Sequence, residues 1–220
     1  EDAIIVANHV TNVDFMLIVA YQNRLGMGGH GKYMSKEAIK HVPLFGWALN
    51  MMGQVFLKRN WEMDKSKVTA AFDFLLQSKI PAQIGLLPEG TRINEKKRAE
   101  SLEFARQRNI QPLLYQVLVP RPKGFAAIVE HMRGSHFEYV YDITIGYVDG
   151  TVRVRDLFLS PLHGDKVLFN VKRIALKDLP EDATSVQTWL HDRFHRKDQL
   201  LSSMRTNRRF EGEPIAPLPF

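Results

Sequence analysis

In the segment Asn8-His9-Val10-Thr11-Asn12-Val13-Asp14, an imidazole precedes a carboxylate by five residues. The run before it, Ala3-Ile4-Ile5-Val6-Ala7, is continuously apolar and reads as a buried strand; the run after it opens an apolar helix. A five-residue offset overshoots the 3.6-residue helical turn, so a helix alone does not stack the two side chains. A strand-to-helix turn can close that gap and bring Asp14 to one imidazole nitrogen. A carboxylate so placed sets the tautomer and stabilises the imidazolium, leaving the second nitrogen as a general base. This is the logic of a catalytic triad without an enzyme nucleophile, so the nucleophile belongs to the substrate. The competing reading is a histidine that caps the helix or fills the core, and the spacing on its own does not separate the two.

Three further segments carry suitable chemistry. Leu86-Leu87-Pro88-Glu89-Gly90-Thr91-Arg92 runs from an apolar strand into a turn, and strand ends are where α/β folds present ligand-binding groups. Gly90 permits close backbone approach, Thr91 offers a hydroxyl, and Arg92 offers a planar fork that matches phosphate. Glu89 holds that arginine or orients a substrate hydroxyl; the bland alternative is a turn with a surface ion pair. Val55-Phe56-Leu57-Lys58-Arg59-Asn60-Trp61 ends in two cations and an aromatic, and Leu118-Val119-Pro120-Arg121-Pro122-Lys123-Gly124 ends in prolines, cations and glycine. Pairs of exposed cations are more often solvated than functional. Three strands that each finish in a basic turn nonetheless predict one anion-binding rim at one edge of a sheet.

The elements that must position these groups follow from periodicity. Strands are expected at Ala3–Ala7, Gly31–Ser35, Gln54–Lys58, Gln83–Leu87, Leu113–Val119, Tyr139–Val148 and Val167–Ile174. Helices are expected at Asp14–Arg24, Leu44–Met52, Met63–Ser78, Glu95–Arg108, Gly124–Arg133 and Ser185–Ser203. Within Met63–Ser78, for instance, Val68, Ala71, Phe72, Leu75 and Leu76 form one apolar stripe. Alternating strands and helices predict a layered α/β domain with a largely buried central sheet flanked by helices. Two late strands without a helix between them predict that the sheet is mixed. The domain is expected to span residues 1–204, with an extended Pro- and Arg-rich tail over 205–220.

Composition narrows the classes. The 220 residues suffice for one sizeable core, and a net charge of +6 with a pI near 9.5 favours anionic partners. The absence of cysteine excludes a disulfide scaffold, a cysteine nucleophile and a thiolate metal site. No Walker phosphate loop, dinucleotide glycine pattern or Gly-x-Ser-x-Gly elbow is present. His41, His131, His136, His163, His191 and His195 do not fall in a metal-binding spacing, so no metal is expected. No apolar run approaches the roughly 18 residues of a spanning helix; Phe15 to Tyr21 is the longest. The chain enters a core-like strand at once, however, and a preceding segment carrying a membrane anchor is expected.

Taken together and in order, Asn8-His9-x4-Asp14, Phe56-Leu57-Lys58-Arg59, Pro88-Glu89-Gly90-Thr91-Arg92 and Val119-Pro120 resemble the four motifs of the glycerolipid acyltransferases, the lysophosphatidic acid acyltransferases and their relatives. Val42-Pro43-Leu44-Phe45-Gly46-Trp47 and Pro120-Arg121-x-Lys123-Gly124-Phe125 are similar to the eukaryotic branch that includes lysocardiolipin acyltransferase. Asn12 departs from many relatives without touching the chemistry. The resemblance implies transfer of an acyl group from acyl-CoA, as co-substrate, to a free hydroxyl of a lysophospholipid, with lysophosphatidic acid the expected acceptor. It implies His9 as base and Asp14 as its orienting partner. Glu89, Gly90, Thr91 and Arg92, with Lys58 and Arg59, would bind the acceptor phosphate, and Pro120 and Arg121 would line the wall. It also implies a membrane surface as partner, on the endoplasmic reticulum or another intracellular membrane, with no cofactor and no nucleic acid. Phe15, Met16, Phe45, Trp47, Met51 and Met52 are candidates for an acyl groove. A CoA-independent phospholipid transacylase could use the same residues, and a non-enzymatic module that binds anionic membranes could use the basic rim.

Overall fold

The computed structural model describes residues 1–58, 61–152 and 167–211, without the side chains of Phe45, Trp61 and Glu62. Six strands form one sheet in the order β3-β2-β4-β1-β5-β6: β1 (Ala3–Ala7), β2 (Gly31–Lys36), β3 (Val55–Leu57), β4 (Gln83–Leu86), β5 (Tyr139–Tyr147) and β6 (Val167–Ala175). The first five run parallel, and β6 pairs antiparallel with β5. The sheet is thus mixed, as the two consecutive late strands require.

Strand β1 lies at the centre and is buried on both faces, which explains its uninterrupted apolar sequence. Ile4 and Val6 face one core with Phe72, Leu75, Phe125, Ile128, Leu190 and Phe194. Those partners come from α3 (Trp61–Ser78), α5 (Pro122–Met132) and α6 (Ala183–Asn207). Ala3, Ile5 and Ala7 face a second core with Leu17 and Ile18 of α1 (Asp14–Arg24). The remaining α-helices among the described residues are α2 (Phe45–Met51) and α4 (Glu95–Gln107).

Every expected helix forms, but α6 runs on through Asn207, so residues 205–207 are helical rather than part of a tail. The expected tail beyond residue 211 lies outside the described residues.

One expected strand does not form. Leu113–Val119 has strand-like apolar content but is irregular, because side chains take the N–H groups that a neighbouring strand would need. Asp198 Oδ1 accepts from the peptide N–H groups of Tyr115, Gln116 and Val117 at 2.7, 2.5 and 3.3 Å. Glu89 Oε2 accepts from Leu118 and Ser101 Oγ from Val119, both at 2.9 Å. Two carboxylates and a hydroxyl replace a β ladder.

A second ionic cluster ties α6 beneath the sheet. Lys197, fully buried, donates to Ile143 O at 2.6 Å and to Val6 O, and is ion-paired with Asp142. Arg193 Nε donates to the other Asp142 oxygen at 2.6 Å. A buried ammonium is tolerable only with such partners, and burial pushes the Lys197 pKa down.

Candidate active site

Because β1, β4, β2 and β3 are parallel, their carboxyl ends share one edge of the sheet. His9 follows β1, Glu89 to Arg92 follow β4, and Lys58 follows β3. The fourth segment arrives differently: Pro120 and Arg121 are carried to this edge by the irregular loop. The Arg121 N–H donates to Pro88 O at 2.8 Å. The expectation of three strand ends is therefore corrected to two strand ends and one tethered loop. Arg59 lies outside the described residues.

The histidine and aspartate meet. His9 Nδ1 is 2.9 Å from Asp14 Oδ2, and the same oxygen accepts the N–H groups of Val10 at 2.6 Å and Thr11 at 2.8 Å. A carboxylate oxygen holding two N–H donors can only accept from the ring, so the proton sits on Nδ1 and the Nε2 lone pair is free. The Asp14 side chain is wholly buried whereas that of His9 is 19% exposed. The five-residue offset is accommodated by the turn Val10–Val13, in which Thr11 Oγ1 accepts the Val13 N–H at 3.0 Å.

Residues that the motif does not announce complete the support. The Tyr147 hydroxyl, at the end of β5, donates to Asp14 Oδ1, and burial with Asp14 alongside pushes its pKa well above the usual phenol value. Tyr147 thus remains a donor. Asn8 grips the backbone of β5 from both sides, donating to Ile145 O at 3.0 Å and accepting from Ile145 N at 2.8 Å. Tyr147 lies far from His9 in sequence, and only strand pairing brings it in.

Glu89 is placed otherwise than its sequence neighbours suggested. It is 3% exposed; Oε1 accepts the His9 N–H at 2.7 Å and Oε2 accepts the Leu118 N–H. Burial pushes its pKa up to about 8, against the opposing pull of those two N–H donors. It knits the His9 turn to the loop before Pro120, instead of pairing with Arg92. Arg92 is exposed on the adjoining backbone, where the Ile93 N–H donates to His9 O at 3.0 Å. Gly90 adopts φ +68°, a conformation glycine takes without strain, and a Cβ there would lie 3.4 Å from Arg121 Nε. Lys58 is exposed, and its N–H donates to the buried Asp64 at 2.9 Å.

Beside this edge opens a cleft of about 780 Å³. Glu89, Gly90, Thr91, Pro120 and Arg121 line it, with Leu57, Phe104, Ile110, Leu118 and Val119 as apolar walls and Lys97, Arg108 and Lys123 as further cations. His9, Lys58 and Arg92 are not among its lining residues; His9 adjoins it through Glu89. Met16, Trp47, Met51 and Met52, candidates for an acyl groove, are exposed surface residues away from the cleft lining. From α6, Gln187 and His191 reach the wall, a contribution that no motif foreshadows.

The family model described as Acyltransferase matches residues 1–148, which contain both the His9–Asp14 pair and the Glu89 loop. The chain belongs to this acyltransferase family. A second model, Acyltransferase C-terminus, matches residues 162–219 and so takes in α6. Lysocardiolipin acyltransferase 1 of Danio rerio is 31% identical over 218 residues, covering 98% of this chain and 56% of the relative. Probable 1-acyl-sn-glycerol-3-phosphate acyltransferase 5 of Arabidopsis thaliana is 32% identical over 216 residues (97% and 56%). The human 1-acyl-sn-glycerol-3-phosphate acyltransferase delta is 32% identical over 219 residues (99% and 57%). The chain therefore spans a little over half the length of these relatives. Among the described residues, no helix is long and apolar enough to cross a membrane.

Proposed function

We propose that this acyltransferase esterifies the free hydroxyl of a lysophospholipid, lysophosphatidic acid being the expected acceptor, with acyl-CoA as donor. The observation that carries this reading is the 2.9 Å contact between His9 Nδ1 and a buried, multiply hydrogen-bonded Asp14, which leaves Nε2 available at a partly exposed surface. Nε2 takes the proton of the acceptor hydroxyl as its oxygen attacks the thioester carbonyl. A tetrahedral intermediate forms, the carbon–sulfur bond breaks, and the imidazolium returns the proton to the departing thiolate. Asp14, held in place by Tyr147, stabilises the imidazolium in between. A positioned base of this kind contributes roughly 100- to 10,000-fold. No enzyme nucleophile is needed.

The cleft suits an amphiphile: apolar walls for a chain, cations at Arg121, Lys123 and Arg108 for phosphates. Arg92 and Lys58, exposed at the same sheet edge, suit the acceptor phosphate, and both acceptors named in the relatives carry phosphate near the reacting hydroxyl. The test is a panel of lysophospholipids with labelled acyl-CoA, or with a phospholipid as sole donor, read by product mass. Acyl-CoA-dependent product that vanishes in a folded His9→Ala variant is expected. Undiminished turnover by that variant overturns the mechanism, and turnover with phospholipid alone overturns the donor.

A further inference from the structure

Several strongly exposed large apolar side chains gather on and beside one short helix. Leu44 is 78%, Trp47 60% and Met51 88% exposed, and Met52 and Val42 are also exposed. Trp47 and Met51, four residues apart, share one face of α2, and Leu44 stands at its N-cap. The opposite side of α2 is anchored. Leu49 is buried, and Gly46 packs so closely on the preceding 3-10 turn, Glu37–His41, that a Cβ there would lie 2.1 Å from Ile39 O. Lys32 Nζ closes the far end of the helix on Met52 O at 2.8 Å. The apolar face is thus held outward by a rigid seat.

Cations surround it. From Gly31 to Lys58 the chain carries four lysines against one acid, Glu37, and that acid is paired with Lys67 at 3.5 Å. Lys36, Lys40 and Lys58 are exposed. The segment leaves β2 at the same sheet edge that holds His9.

We infer that α2 and its flanking lysines form a membrane-docking surface, which inserts Leu44, Trp47 and Met51 into the headgroup boundary of an anionic leaflet. Apolar side chains ringed by lysines, with an interfacial tryptophan, match the two attractions such a surface offers. A second copy of the chain fits less well. A seven-residue helix falls far short of the roughly 1,200 Å² that a stable protein interface buries, and like charges would face each other across it. This inference extends the proposed reaction, whose acceptor resides in a bilayer, by bringing the His9 edge alongside the lipid surface.

The experiment uses the 220-residue chain with Trp61→Phe and Trp189→Phe, which leaves Trp47 as its only tryptophan. Addition of vesicles of phosphatidylcholine with phosphatidylserine should shift Trp47 emission to the blue, and bromine-labelled acyl chains should quench it. In co-sedimentation, Leu44→Ser with Met51→Ser should weaken vesicle binding at least about tenfold, since burying even one such side chain is worth that much. Lys36→Glu with Lys40→Glu should abolish the preference for the anionic vesicles. Turnover of a short-chain lysophospholipid kept below its micelle concentration should survive in the Leu44/Met51 variant, separating docking from chemistry. Absence of any Trp47 quenching overturns the inference, as does unweakened binding by the Leu44/Met51 variant. Concentration-dependent dimerisation lost in that variant does so too, by assigning the face to a second copy. Failure of the wild-type chain to turn over any lysophospholipid counts against the proposed reaction alone, because the fluorescence readout needs no chemistry.

Discussion

Replacing Glu89 by glutamine should change the stability difference between the two proteins in a pH-dependent way. The Glu89 carboxyl is almost wholly buried, and desolvation raises its pKa from 4.5 to about 8 despite two N–H donors. Between those values the folded chain holds a proton that the unfolded chain releases. The contribution of Glu89 to stability is therefore complete below about pH 4.5 and is lost as pH rises through about 8. At about 1.4 kcal/mol per pKa unit, the full loss is up to about 5 kcal/mol. Glutamine has no such dependence. Its amide oxygen can accept from His9 or Leu118, but its NH₂ then confronts the other donor, costing about 1–3 kcal/mol at every pH. The wild type should be more stable by about that amount near pH 5, and the variant should be more stable by about 2 kcal/mol or more near pH 9. Urea denaturation of both proteins across this range measures it, and titrations common to both cancel in the difference. A difference that stays flat from about pH 5 to about pH 9 would show that Glu89 does not carry the proton and would refute the reasoning.

Three further outcomes are expected. Tyr147→Phe removes a hydrogen bond to a charged acceptor, worth about 1.5–3 kcal/mol, and should lower kcat about tenfold or more with KM little changed; an unchanged kcat would show that Asp14 is held without it. Lys197→Met keeps volume but strips Asp142 of one cation, and should cost about 3 kcal/mol in chemical denaturation, a loss below about 1 kcal/mol contradicting the bracing role. Arg92→Ala should raise KM for a phosphate-bearing lysophospholipid about tenfold or more while sparing that for acyl-CoA, and equal effects on both would remove Arg92 from the acceptor site.

The amino-acid sequence by itself determined the layered α/β architecture, since β1 is apolar enough to be buried on both faces and α3 carries its stripe at helical spacing. It raised the pairing of His9 with Asp14 as one of two readings, and the folded turn between strand and helix decided for it. It misled at Leu113–Val119. Apolar content there says that the segment is buried, but not which groups take its N–H bonds; Asp198 and Glu89 do, from distant elements. Glu89 misled for a related reason: beside Arg92 in sequence, it reads as an ion-pair partner until folding turns it inward to two peptide N–H groups. Tyr147 and His191, and the outward face of α2, were decided only by tertiary structure. Local periodicity reports which side chains leave water. Which donor meets which acceptor across the sheet depends on strand order, and strand order is set by the packing of the whole chain.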